Sequence, residues 1–150
     1  MSLENLLKIH QLQRHTVTVQ EVQRLLAAAS RNLADSAVDG ISEETRFDAA
    51  YKAIMQCAMV GLMANGYRPS TTTPGHHQTM IQSLGQTIGL SNEAWIVLDS
   101  LRKKRNLNDY SGDLIEPAAV RTCATHASAL LTTTRRWLSQ HRPDLFSETP

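Results

Sequence analysis

The sequence is poor in the groups that announce a chemistry. Two cysteines, Cys57 and Cys123, lie 66 residues apart in apolar, alanine-containing stretches, where a thiol serves as a small core residue. Neither has companion ligands: Cys-x-x-Cys, His-Glu-x-x-His and Asp-rich loops are all absent, so neither a metal nor a cofactor is expected. A nucleophilic thiolate needs a positive charge beside it. Cys57 has none nearby in sequence, and Arg121 lies two positions from Cys123, off its helical face. Glycine is scarce, at 7 residues, and Gly85 and Gly89 flank Gln-Thr-Ile without the Lys-Ser/Thr partner of a phosphate loop. They read as helix breakers.

Charge of one sign is lacking too. Lys and Arg total 15 against 14 Asp and Glu, and residues 1–75 and 76–150 hold 7 and 8 basic side chains against 7 acidic ones each. A general grip on a polyanion or an anionic membrane needs a basic excess on one face, so none is expected. The opening residues carry no basic region followed by a long apolar core, which argues against a signal peptide. The longest apolar run, residues 53–64, falls short of the ~20 needed to span a bilayer. With 41% hydrophobic residues, the chain reads as one soluble domain over 1–150, cytoplasmic and without a membrane partner.

What is present is helical. Ala, Leu, Gln and Arg runs punctuated by widely spaced Ser, Thr and Gly predict an all-α chain, with no convincing strand. A short helix is expected over residues 2–13, inside an N-terminal segment 1–16, on Leu3, Leu6, Leu7 and Ile9. Thr18 and Glu21 form a capping box before Val22, Leu25, Leu26, Ala29, Leu33 and Ala37, with Gly40 as the stop. Ser42 caps the next helix, with Glu43 and Glu44 at its positive end and Asn65-Gly66 at its close. Its residues 53–64 are apolar or small except for Gln56, as befits a central buried helix. A loop over 66–75 precedes a helix from His76 to about Leu84, and Ser91 caps one carrying Trp95, Ile96, Leu98 and Leu101. Pro117 opens the last stripe, Val120, Cys123, Ala127, Leu130, Leu131 and Leu138, and residues 144–150 read as a frayed tail. The expected fold is an antiparallel bundle of four main helices with one or two short ones.

The segment LRKKRNLNDYSGD, residues 101–113, concentrates the chemistry. If the helix runs through it, Arg105 and Asp109 share a face and Arg102 lies one turn earlier. Such a cluster can hold a phosphate between guanidinium groups while Asn, Asp and Tyr orient a neighbouring group. The structural alternative is strong, because Asp99, Asp109, Asp113 and Glu116 balance the four cations and basic residues suit a helix C-terminus.

The bundle layout, the loop-then-helix PGHHQTMIQSL (residues 74–84) and the Arg105-Asn106 pair late in a helix resemble HEPN domains, small helical bundles that bind nucleotides. The resemblance spans roughly residues 18–140. It implies a homodimer and binding of RNA or a nucleotide, and for many members metal-independent RNase activity. It also implies a toxin–antitoxin or related defence pair, with a minimal nucleotidyltransferase as partner. The family's nuclease signature is Arg, four to six residues, then His. Here the His position falls on Tyr110, or on Ser111 or Gly112 with longer spacing. Arg105-x-x-x-Asp109-Tyr110 resembles a variant of some branches. An unperturbed Tyr titrates near pH ~10, whereas imidazole is the usual proton carrier near neutrality.

The resemblance makes Arg105, Asp109 and Tyr110 the catalytic candidates and Arg102, Arg105 and Asn106 the nucleotide- or RNA-binding ones. His77 joins the binding set if it reaches the Arg105 region. Otherwise His76-His77 is a capping and packing pair, since adjacent helical residues diverge by about 100° and chelate poorly. His10, His15, His126 and His141 are isolated and read as surface or packing residues. Arg135-Arg136-Trp137 is either a base-stacking patch or a Trp plugging the bundle beside two solvated arginines. The competing functional reading is a non-catalytic homodimeric module in which the Arg/Asp/Tyr cluster is a structural salt bridge.

Overall fold

A computed structural model describes residues 2–146, and among them seven helices and one two-stranded ribbon form. The first helix, α1 (Leu3–Lys8), is capped by Ser2, whose Oγ accepts from the Asn5 N–H at 3.1 Å. It ends well before residue 13. His10 adopts a left-handed φ of 64° while the His10 and Gln11 N–H groups donate back to the Leu7 and Leu6 carbonyls at 3.1 and 2.9 Å. That is a Schellman stop built without glycine.

The chain then forms β1 (Leu12–Arg14), which pairs antiparallel with β2 (Tyr67–Pro69) in the register Leu12↔Pro69, Gln13↔Arg68, Arg14↔Tyr67. This corrects the expectation of a strand-free chain. Three residues are too few for an alternating pattern to show, and what they supply is a clasp between the N-terminus and the segment after the central helix.

The capping box holds: Thr18 Oγ1 accepts from the Glu21 N–H at 3.2 Å, Glu21 Oε1 accepts from the Thr18 N–H at 2.9 Å, and α2 (Val19–Ser36) follows. It stops at Ser36, four residues before Gly40, and Arg46 Nε donates to the Ser36 carbonyl at 2.8 Å. Ser42 caps α3 (Glu43–Ala64), which is buried on all sides from Ala53 to Ala64 apart from Gln56 and Met59. Asn65 and Gly66 (φ 92°) close it. The helix expected over 76–84 is two: α4 (His76–Gln82) and α5 (Leu84–Thr87), with Gly85 inside the second and Gly89 (φ 72°) after it. Ser91 caps α6 (Asn92–Ser111), which runs unbroken through the charged segment to Gly112 (φ 70°), and Pro117 opens α7 (Pro117–His141).

The chain is thus mostly helical, with four long helices and three short ones. Helices α2, α3 and α7 share the main core around α3, while α6 lies against α4 and touches α3 and α7. Phe47, Ile54, Leu62, Ile81, Leu84, Leu98, Cys123 and Leu130 belong to one apolar cluster. Val22, Leu26, Val60, Ala64, Leu138 and Leu145 form a second at the other end. Residues 144–146, expected to fray, are docked there, since Leu145 is buried and Phe146 packs beside it. The rest of that tail, 147–150, lies outside the described residues. Trp137 packs against both clusters and stacks on His141 at 4.8 Å, while Arg135 and Arg136 are exposed. Among the described residues no helix is long and apolar enough to cross a membrane.

Candidate functional site: a cleft where four helices meet

Helix α3 begins with polar residues before its buried half. Steps of three and four place Thr45, Asp48, Lys52 and Met55 on one stripe, and this stripe walls a cleft of 460 Å³. Helix α4 contributes His77, α6 contributes Arg105, and α2 closes the side with Asn32, which donates to Gln56 Oε1 at 2.9 Å.

Arg105 is the pivot. Its guanidinium carbon lies 5.1 Å from the centroid of the Tyr51 ring, a cation–π arrangement. Its Nε is 3.8 Å from Asp48 Oδ1 and its Nη2 is 3.8 Å from Asp109 Oδ2. Both distances exceed hydrogen-bond range, so the two carboxylates balance charge without occupying the donor fork. Two other cations of the run are committed more tightly, Arg102 Nε to Asp99 Oδ1 and Lys104 Nζ to Glu116 Oε1, each at 2.8 Å, while Lys103 Nζ stands 3.6 Å from Asp99 Oδ2.

The Tyr51 hydroxyl and His77 Nδ1 are 3.3 Å apart, and the donor depends on the imidazole tautomer. Burial pushes the phenol up to about 12 despite the pull of Arg105 and Arg102. Burial first, then His76, Arg105 and Arg102, hold the His77 imidazole below its ordinary value, so it is neutral at pH 7. Asp48 moves upward, because burial and the charges of Asp109 and Glu44 outweigh the attraction of Arg105. The cleft therefore combines a guanidinium with free donors, an ammonium, a neutral imidazole and a carboxylate. This set can neutralise one phosphate and accept or donate a proton beside it.

Of the residues singled out in the sequence, Arg105 and His77 line this cleft, and Asp109 touches Arg105 from the rim. Arg102 is bound to Asp99 and acts on Tyr51 and His77 through its field. Asn106 is half-buried and does not line the cleft; Tyr110 is 92% exposed at the end of α6, also away from it. Sequence reasoning missed Asp48, Tyr51, Lys52 and Asn32. The available signal was the polar stripe 45/48/52 at the head of an otherwise apolar helix. Cys57 and Cys123 are buried thiols whose burial pushes both up to about 12. Among the described residues no three His, Cys, Asp or Glu side chains gather as a metal-binding group. In comparisons with known proteins, no family model matches the chain, and no curated protein matches it.

Proposed function

We propose that the chain is a HEPN-like helical protein that binds RNA or a nucleotide by a phosphate in the α3–α4–α6 cleft. The observation that carries this reading is Arg105, stacked over Tyr51 with its donor fork unspent and a neutral His77 nearby. Arg105 and Lys52 against Asp48 leave the lining one positive charge in excess, which suits a single phosphate better than a polyanion's length. In this reading Arg105 neutralises the phosphate, Lys52 and His77 complete the contact, Asp109 orients Arg105, and Arg102 holds the field positive. The four long helices are then the family's antiparallel bundle. Exposed Leu107, Tyr110 and Leu114 at the end of α6 suit a homodimer contact that brings two such sites together, with Asn106 and Tyr110 meeting the ligand or the partner there. If the protein is catalytic, the reaction is metal-independent RNA cleavage, with Asp109 or Tyr110 in the acid/base role. The biological setting is one half of a toxin–antitoxin or defence pair, partnered by a minimal nucleotidyltransferase.

A second reading draws on the same contacts. Arg105 touches a carboxylate on α3 and another on its own helix, as a structural bridge in a non-catalytic interaction module would. Purified protein and its Arg105→Ala variant, incubated with single-stranded RNA in EDTA and titrated with a nucleoside monophosphate, separate the two. The phosphate-site reading expects binding weakened about tenfold or more in the variant, as for loss of a charge-assisted hydrogen bond. It also expects salt to weaken binding to the intact protein. Loss of thermal stability in the variant, with no ligand effect in either protein, establishes the structural bridge instead.

A further inference from the structure

A second cleft, of 270 Å³, opens where the start of α2 and the β1–β2 ribbon meet α3, and it shares no residue with the first. Its apolar wall is Leu25, Met59 and Met63, and its cations are Arg24 on α2 and Arg68 on β2. The one carboxylate in its lining, Glu21, is already engaged. Glu21 Oε1 accepts from the Thr18 N–H at 2.9 Å, and Oε2 lies 2.8 Å from His15 Nε2. Among the described residues neither Arg24 nor Arg68 has a carboxylate within ion-pair distance. The Arg68 Nε is buried with no hydrogen-bond partner. Leaving such a donor unpaired is costly, and the position is fixed by the ribbon, where Arg68 faces Gln13.

We propose that this cleft binds a small organic carboxylate, the carboxylate on Arg68 and Arg24 and a compact apolar body on Leu25, Met59 and Met63. A guanidinium fork matches a carboxylate in planar geometry, and thioether side chains adapt their shape to an apolar guest. The charge suits a monoanion: Arg24 and Arg68 against Glu21 leave one positive charge in excess. The proposal stands apart from the reading of the α3–α4–α6 cleft and survives its failure.

The test is a methyl and backbone NMR titration of the full chain with hexanoate and benzoate. Acetate, hexanol and inorganic phosphate are the comparison probes. Saturable shifts confined to Met59, Met63, Leu25 and the Arg68 segment are expected with the two larger acids and not with hexanol. Arg68→Gln and, independently, Arg24→Gln should each weaken hexanoate binding, Arg68→Gln by about tenfold or more. Because Arg24 is exposed on α2, its replacement leaves the ribbon intact, so a fold defect in Arg68→Gln does not shield the idea. No saturable shifts, equal binding of hexanol, tighter binding of phosphate, or undiminished binding in both variants would each overturn it.

Discussion

At the scale of single residues, Asp48 decides how Arg105 is to be understood. A carboxylate held in a stabilising bridge titrates below its ordinary value, because the partner cation favours the charged form. Asp48 titrates above it, burial being the largest cause. A carboxyl whose folded value is raised contributes stability that is fully present below its unfolded value and is lost as pH rises through the folded one. At neutral pH the ionised Asp48 is therefore a small burden on the fold. Asp48→Asn is expected to raise the denaturation midpoint slightly at pH 7, with the gain fading as the pH falls towards about 4 and absent below it. A lowered midpoint at pH 7, measured by urea unfolding of both proteins, would show that Arg105 and Asp48 do form a stabilising bridge.

At the scale of elements, what could be read in advance follows from how locally each signal is encoded. Thr18, Ser42, Ser91 and Pro117 mark helix starts because a cap is made within three or four residues. The β1–β2 clasp was invisible, since Leu12 and Pro69 are brought together only by the packing of α2 and α3, which lie between them in the chain. The end of α1 was misjudged because the left-handed stop falls on His10, where a glycine would have announced it. Gly61 shows the same limit inside a helix. In sequence it looks like a weak point of α3, yet a Cβ there would lie 2.9 Å from Thr87 Oγ1 and 3.4 Å from Ile88 Cγ2. The missing side chain lets α5 approach, and Asn65 Nδ2 locks the contact by donating to the Gly61 and Thr87 carbonyls at 2.7 and 3.1 Å. Alanine at 61 gains about 1 kcal/mol in helix propensity but overpacks a buried junction, at about 1–3 kcal/mol. Gly61→Ala is expected to be net destabilising in chemical denaturation, and adding Thr87→Ala should recover part of the loss. A stabilised Gly61→Ala would mean that α5 is free to move away.

At the scale of the whole molecule, the site and the fold were legible to different degrees. Arg105 and His77 stood out in sequence because each sits in a cluster of polar groups. Their partners Asp48, Tyr51 and Lys52 are contributed by another helix more than 20 positions away from either, and no local pattern links them. The C-terminus offers the same contrast. Residues 144–146 read as part of a frayed tail, but they close the second core cluster. Leu145 enters beside Val22, Leu26, Val60 and Leu138. Arg142 Nη1 donates to the Ala64 carbonyl at the end of α3 at 2.5 Å, while its Nε and Nη2 grip Asp144 at 3.1 and 2.9 Å. One arginine thus satisfies a helix-end carbonyl and fixes the turn that delivers Leu145. A chain ending at His141 loses a buried leucine, worth about 1.5–3 kcal/mol, and a charged hydrogen bond of about 1.5–3 kcal/mol. For a protein of this size each kcal/mol moves the melting temperature by about 2–4 °C, so calorimetry should show a drop of about 6–24 °C. Leu145→Ala and Arg142→Ala each should show part of it. The two losses should not simply add, because Arg142 helps to fix the turn that delivers Leu145. An unchanged melting temperature on truncation would show that α2, α3 and α7 complete their core without the segment.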